Sequence, residues 1–289
     1  MDKITPYLLP ELIDRYDGNI PEINFNKLFQ TYIVYCVIWY IAYMFFEYAI
    51  IRSCFSNSSK KVKGMGRSYL ASTLNALLCS ICGIYICMKM KDENVLCKYF
   101  FISCDDTKLL NFTLISGAQL SAHFSNDLIG LFFTYPRDPR ETNAAIVIHH
   151  LIFLSCGIIG SVFYLTPFTY AWLNLCEIST IPLNIRWFAI NTGNGNSCIY
   201  WFASYSFVLC FVIFRIIMYG IGLFDIYLKY EEIQQHAQAL SKHTMKINCT
   251  VVVLILVSIG WILQLYWFVT GILPLLFRKG AKKKQKKEQ

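Results

Sequence analysis

The chain has 289 residues, 56% of them hydrophobic and 15% charged, with a net charge of +8. A soluble domain is about one-quarter charged, so the composition excludes a water-soluble globular protein and fits apolar blocks of about 20 residues that cross a bilayer. The positive charge does not make a nucleic-acid surface. It gathers in Lys60-Lys61-Val62-Lys63 and Lys282-Lys283-Lys284-Gln285-Lys286-Lys287, where it reads as an anchor beside anionic lipid.

In chain order, the sequence predicts an all-α polytopic membrane bundle of about seven helices around a central polar cavity. Residues 1–28 form a polar N-terminal segment with no apolar core of a cleavable signal peptide. The first span, expected at 29–51, then acts as the insertion signal. Further spans are expected at Tyr69–Met88, Leu109–Phe133, Ala144–Leu165, Phe168–Ile190, Cys198–Leu223 and Asn248–Phe277. Only Thr166 and Pro167 separate the fourth from the fifth, which makes a tight antiparallel hairpin. Pro182 interrupts the fifth span, removing a backbone donor and freeing the carbonyl of Ile178. At membrane depth such a break faces protein or a cavity. In the last span, Pro274 is expected to break the helix.

The cysteines do not outline a metal site. Cys79 and Cys82 sit in an apolar segment with no second ligand pair, so they read as small core residues. Cys97 and Cys104 share a polar loop and are expected to pair if that loop is lumenal. Asn57, Asn111 and Asn248 begin glycosylation sequons, none of them expected to be used.

Lysine and arginine are more numerous in the loops on the C-terminal side, which puts the C-terminus in the cytosol and the N-terminus in the lumen. The chain ends Lys286-Lys287-Glu288-Gln289. Lysines at these two places resemble the dilysine retrieval signal of endoplasmic-reticulum membrane proteins. The expected location is the endoplasmic-reticulum membrane, with cycling to the Golgi, and coat proteins would read the tail.

Ionisable side chains at membrane depth are costly and mark pairs, cavities or chemistry. His149 and His150 interrupt an apolar run in the fourth span. A rise of about 1.5 Å per residue puts them, Asp127 and Asn184 in one layer about 9 Å from the cytosolic face, with Arg186 slightly shallower. Glu177 and Arg215 match at roughly 12–14 Å from the other face. There they are expected to pair, since either charge alone is expensive. Thr180 and Asn184 fall on the same cavity wall. Neighbouring helical residues point about 100° apart, so both histidines reach one site only if the cavity is wide. His123, deeper and on the face of Asp127, reads as structural, and His236 and His243 as solvated.

These motifs resemble a known family. Glu177-Ile178-Ser179-Thr180-Ile181-Pro182-Leu183-Asn184-Ile185-Arg186-Trp187 is similar to a stretch of TLC-domain proteins, with Ile181 inserted before the proline. Ser125-Asn126-Asp127-Leu128, His149-His150 and Phe211-Val212-Ile213-Phe214-Arg215-Ile216 resemble further family motifs in the same order. On this resemblance 52–277 is the TLC domain, behind a first helix at 29–51 and ahead of a basic cytosolic tail at 278–289. The family includes ceramide synthases, and the resemblance implies a helical bundle with a lipid-accessible cavity. In the synthases the paired histidines catalyse N-acylation, so the resemblance casts His149 and His150 as the catalytic pair.

The expected function is lipid acyl transfer or control of membrane lipid composition, with Asp127 orienting an imidazole. No bound cofactor and no metal are expected. Acyl-CoA is the expected co-substrate, its phosphates meeting Arg137 and Arg140. Membrane lipids are the expected partners, and self-association into a homo-oligomer is a further expectation. The competing reading is a non-catalytic lipid-binding or cargo-trafficking protein of the early secretory pathway.

Overall fold

The computed structural model describes residues 10–15, 22–100, 104, 106–134, 144–163, 167–232, 235 and 244–274. Helix starts follow from capping side chains that take up amides left unpaired by the first turn. Asn24 accepts from the Lys27 amide at 2.9 Å and opens α1, Phe25–Cys54. Ser59 accepts from Val62 at 3.3 Å and opens α2, Lys60–Met90. A short α3, Val95–Phe100, follows. Asp106 accepts from Lys108 and Leu109, both at 3.0 Å, and opens α4, Thr107–Ile129. α5 is Ala144–Phe163 and α6 is Pro167–Asn174. The chain then tightens to 3-10 pitch over Leu175–Ser179 and resumes as α7, Thr180–Asn191.

Gly193, at φ 84°, ends α7. Asn194 N–H donates to Ala189 at 2.8 Å and Gly193 N–H to Ile190 at 3.4 Å, the crossed pair of bonds that a left-handed residue permits. Ser197 then caps α8, Cys198–Leu228. The last helix, α9, is Thr244–Trp267 and widens to π pitch over Phe268–Ile272, ahead of Pro274. Several of these helices start earlier than their apolar spans predict, α9 at Thr244 among them. α1 begins at the Asn24 cap, and α2 carries its helix back through polar Lys60–Arg67.

Alternating chain direction gives the bundle two ends. Cys54–Lys60 lies at a basic end, with Lys60, Lys61 and Lys63. Cys97 and Cys104, joined by a disulfide, lie at the other. Among the described residues, α1, α2, α5, α8 and α9 have the length and hydropathy to cross a membrane. The two other segments expected as spans, α4 and α6–α7, are helical but more polar. α4 packs against α1, α2 and α5, while α6 packs on α2 and α7 on α2 and α8. Their polar side chains therefore face protein. The bundle carries polar side chains inside its apolar core, with Asn75, Gln119, Asp127, Asn184, Arg215 and Gln264 buried, and is apolar outside, with Ile41, Phe202, Tyr205 and Ile262 exposed. That apolar exterior fits a lipid solvent.

The segment before α1 does more than its polar composition suggests. Ile13–Arg15 and Glu22–Ile23 form a small antiparallel ladder, the only strands among the described residues. Leu12 is fully buried against Met90, Leu109 and Leu110. Its amide donates to Asn111 Oδ1 at 2.6 Å, and Asn111 Nδ2 donates to Pro10 O at 2.9 Å. Asn111 is thus committed to backbone. At the same end Tyr99 donates to Asp225 at 2.8 Å. Burial pushes the Tyr99 phenol up, and the Asp225 carboxylate adds to the shift.

One close helix approach, that of α2 to α6, needs a glycine. A Cβ on Gly83 of α2 would lie 2.8 Å from the Ala171 carbonyl oxygen and 3.1 Å from Asn174 and Leu175 atoms. Gly83→Ala should force α2 from α6 and cost about 1–3 kcal/mol. Thermal unfolding in detergent reads this as a lowered Tm, and an unchanged Tm would show that the helices are not so close.

Candidate functional site

Five elements converge on the bundle centre. α4 brings Asp127, α5 brings His149 and His150, and the α6–α7 junction brings Glu177, Ser179 and Thr180. α8 brings Arg215 and α9 brings Gln264. Arg215 lies in a stretch of π pitch, Phe211–Met218. Such widened turns are frequent at functional sites.

Arg215 is held on every nitrogen. Nε donates to Cys176 O at 3.1 Å and Ser179 Oγ at 2.6 Å. Nη1 donates to Gln264 Oε1 at 3.3 Å, and Nη2 to Glu177 Oε1 at 3.2 Å and Thr180 Oγ1 at 2.8 Å. Thr180 in turn donates to Glu177 Oε2 at 2.8 Å. The matched depth of Glu177 and Arg215 thus ends in an ion pair, with side chains 16% and 8% exposed. The helix break differs from expectation. It falls at Leu175–Ser179, ahead of Pro182, and the carbonyl recruited by the arginine is that of Cys176. A turn of 3-10 pitch before the proline already takes the helix out of α register, so the carbonyl exposed is further upstream.

Asp127 gathers three elements. Its Oδ1 accepts from Ser68 of α2 at 2.6 Å and from Tyr43 of α1 at 3.1 Å. Its Oδ2 lies 3.2 Å from His150 Nδ1, in ion-pair range though turned out of hydrogen-bond alignment. His149 Nδ1 sits 3.5 Å from Gln264 Nε2, and its ring packs on Phe153 and Trp267 at 4.6 and 5.4 Å. Gln264 therefore joins the two layers that depth alone kept apart.

Both histidines open on one cavity, which resolves the 100° between them. A chamber of about 440 Å³ runs toward the basic end past Asp127, His149, His150, Thr180, Asn184 and Arg186. A second, much smaller space of about 50 Å³ runs toward the disulfide end between apolar residues such as Leu114, Leu120, Phe153, Val253 and Val257. The two share Phe124, His149, Glu177 and Arg215. Asn184 is a strut more than a free ligand, since its amide donates to Tyr69 O and Thr73 Oγ1, both at 3.0 Å. Arg186 reaches the chamber and lies 5.7 Å from the Tyr200 ring. His123 is buried with its ring 4.6 Å from Trp39, yet it too lines the wider chamber. Among the described residues no three His, Cys, Asp or Glu side chains converge as metal ligands. Arg137, Arg140, Lys286, Lys287, His236 and His243 lie outside the described residues.

Sequence reasoning missed Gln264, Ser68 and Tyr43. Gln264 carried the same signal as the histidines, a polar side chain inside an apolar span. Ser68 and Tyr43 carried none, because hydroxyls near span ends are ordinary.

The fold and the site define a multi-pass helical membrane protein with a buried, charged cavity at its centre. The family model of the TLC domain, shared by TRAM, LAG1 and CLN8 proteins, matches residues 24–272. The chain belongs to the TLC-domain family, and the match takes in α1. Membership implies a membrane-lipid-related role. Comparison with curated proteins returns no match.

Proposed function

We propose that the chain is an endoplasmic-reticulum lipid acyltransferase, acting through His149, His150 and Asp127 and so setting membrane lipid composition. The observation that carries this reading is the meeting at His149 of a larger chamber that holds the ionisable side chains and a smaller, mainly apolar space, with an Asp-His pair beside it. An acyl chain would enter the apolar space, which has to widen to admit it, and a polar acceptor would lie in the larger chamber. A thioester carbonyl then sits between them.

The chemistry balances without a bound cofactor. Acyl-CoA is a co-substrate, and an amine or hydroxyl of the acceptor attacks its carbonyl. His150 takes the acceptor proton, the C–S bond breaks, and the proton passes to the departing thiolate. Ion-pair contact with Asp127 stabilises the imidazolium. Arg137 and Arg140 are proposed to meet the phosphates of the donor. The test supplies purified protein with acyl-CoA and a panel of lysolipids and long-chain bases, with acylated product read by mass spectrometry. Product supports the reading. No product, with lipid bound all the same, favours the binding protein.

The acyl-CoA pool is cytosolic, so the basic end must face the cytosol. Protease on sealed microsomes should remove a C-terminal tag and spare an N-terminal one. A protected C-terminal tag overturns the orientation. With the tail exposed, Lys286→Ser with Lys287→Ser should shift the protein forward to the Golgi, and an unchanged location would show that the helices retain it.

A further inference from the structure

The two histidines are adjacent and alike, yet their surroundings are of opposite polarity. The guanidinium of Arg215 can only donate, so the Gln264 atom 3.3 Å from Nη1 is the amide oxygen. The amide nitrogen must then face His149 Nδ1, at 3.5 Å. Gln264 is 1% exposed, so no solvent offsets a flipped amide, which would set N–H against N–H. An amide nitrogen also only donates. His149 Nδ1 is therefore the acceptor, and the proton of its neutral ring sits on Nε2.

At His150 the logic reverses. The group 3.2 Å from Nδ1 is Asp127 Oδ2, a carboxylate oxygen that only accepts. Asp127 Oδ1 is already taken by Ser68 and Tyr43, which leaves Oδ2 for the imidazole. Turning the ring into line puts the proton on Nδ1 and the lone pair on Nε2. Such bonds often tighten only when substrate is present.

We infer that Gln264, oriented by Arg215, is a positioning residue that makes the histidine pair asymmetric: His149 offers an N–H at Nε2 and His150 a lone pair. This rests on the acyl-transfer reading for its chemistry and on hydrogen-bond polarity for its geometry. One ring donates to the carbonyl oxygen as negative charge develops, and the other removes the acceptor proton. Arg215, held by Glu177, then acts on the reaction through Gln264.

Gln264→Glu tests this with a near-isosteric side chain. The new carboxylate accepts from Arg215 and from His149 alike, so it moves the His149 proton to Nδ1. Nitrogen-15 spectra of the full chain, histidine-labelled and in lipid nanodiscs, report the tautomer directly. His149→Phe assigns the signal. The wild type should favour the Nε2–H form by about tenfold, the worth of one buried hydrogen bond, and Gln264→Glu should reverse that bias. A wild-type His149 protonated at Nδ1, or one tautomer shared by both proteins, overturns the inference. Should Gln264→Glu fail to fold, Gln264→Met removes the amide and should abolish the bias, and a bias that persists is equally fatal. Turnover is a separate readout, expected to fall about 10²-fold in Gln264→Glu as one oxyanion donor is lost. Absence of product from the wild type overturns acyl transfer, while the His149 tautomer still decides the role of Gln264.

Discussion

Arg215→Met should destabilise the protein by about 3–5 kcal/mol, the cost of leaving a buried partner charge uncompensated. Glu177 is the residue stranded. It would keep the Thr180 hydroxyl at 2.8 Å but lose its cation. Glu177→Gln should cost less, because the arginine it leaves behind still donates to Cys176, Ser179, Thr180 and Gln264. The double replacement should cost less than the two single losses together, since the second change removes an orphan charge that the first created. Thermal unfolding of the four detergent-purified proteins measures the cycle. Additive losses would show that the pair is not coupled. Equal single losses would show that the other bonds of Arg215 contribute little.

Much of this site could be read from residue depth. A rod with a fixed rise per residue converts sequence number into height, and height alone brought Glu177 to Arg215 and Asp127 to His150. Azimuth was harder, because rotation about each helix axis depends on packing. This is why the sequence left open whether His149 and His150 share a cavity, and why Gln264 went unseen as the link between the layers. The spans themselves were plain where one apolar block met lipid, as in α1 and α8. Where a helix is ringed by protein, as α4 is, hydropathy fades and only the caps mark its ends. The helix break at Leu175–Ser179 was displaced from Pro182 for a related reason. Proline forbids one hydrogen bond, but the bonds that replace it depend on Arg215, 38 residues beyond Glu177. Leu12 is the clearest miss. A leucine in a short stretch broken by prolines and charges shows no helical or strand period, yet Asn111 fastens its backbone in place.

His150→Ala should lower acyl transfer by about 10²-fold or more while the protein still folds and reaches its membrane. The motive is geometric. His150 is the ring beside a carboxylate, 3.2 Å from Asp127, and it lines the wider chamber where an acceptor would lie. His149→Ala should cause a loss of similar size by a different route, since a missing oxyanion donor costs about 10²–10³-fold. Asp127→Asn should give a clear loss with the geometry intact, because an amide permits the wrong tautomer of His150. Ser68 and Tyr43 also hold Asp127, so the Asn variant is paired with Ser68→Ala. Ser68→Ala removes one bond to the carboxylate and leaves its charge, and should reduce turnover less. If acyl transfer from supplied acyl-CoA is the same in the wild type and in a protein lacking both histidines, the pair is not catalytic. Lipid profiles of cells expressing the two proteins then decide what remains. Indistinguishable profiles would leave a cavity that binds lipid without changing it.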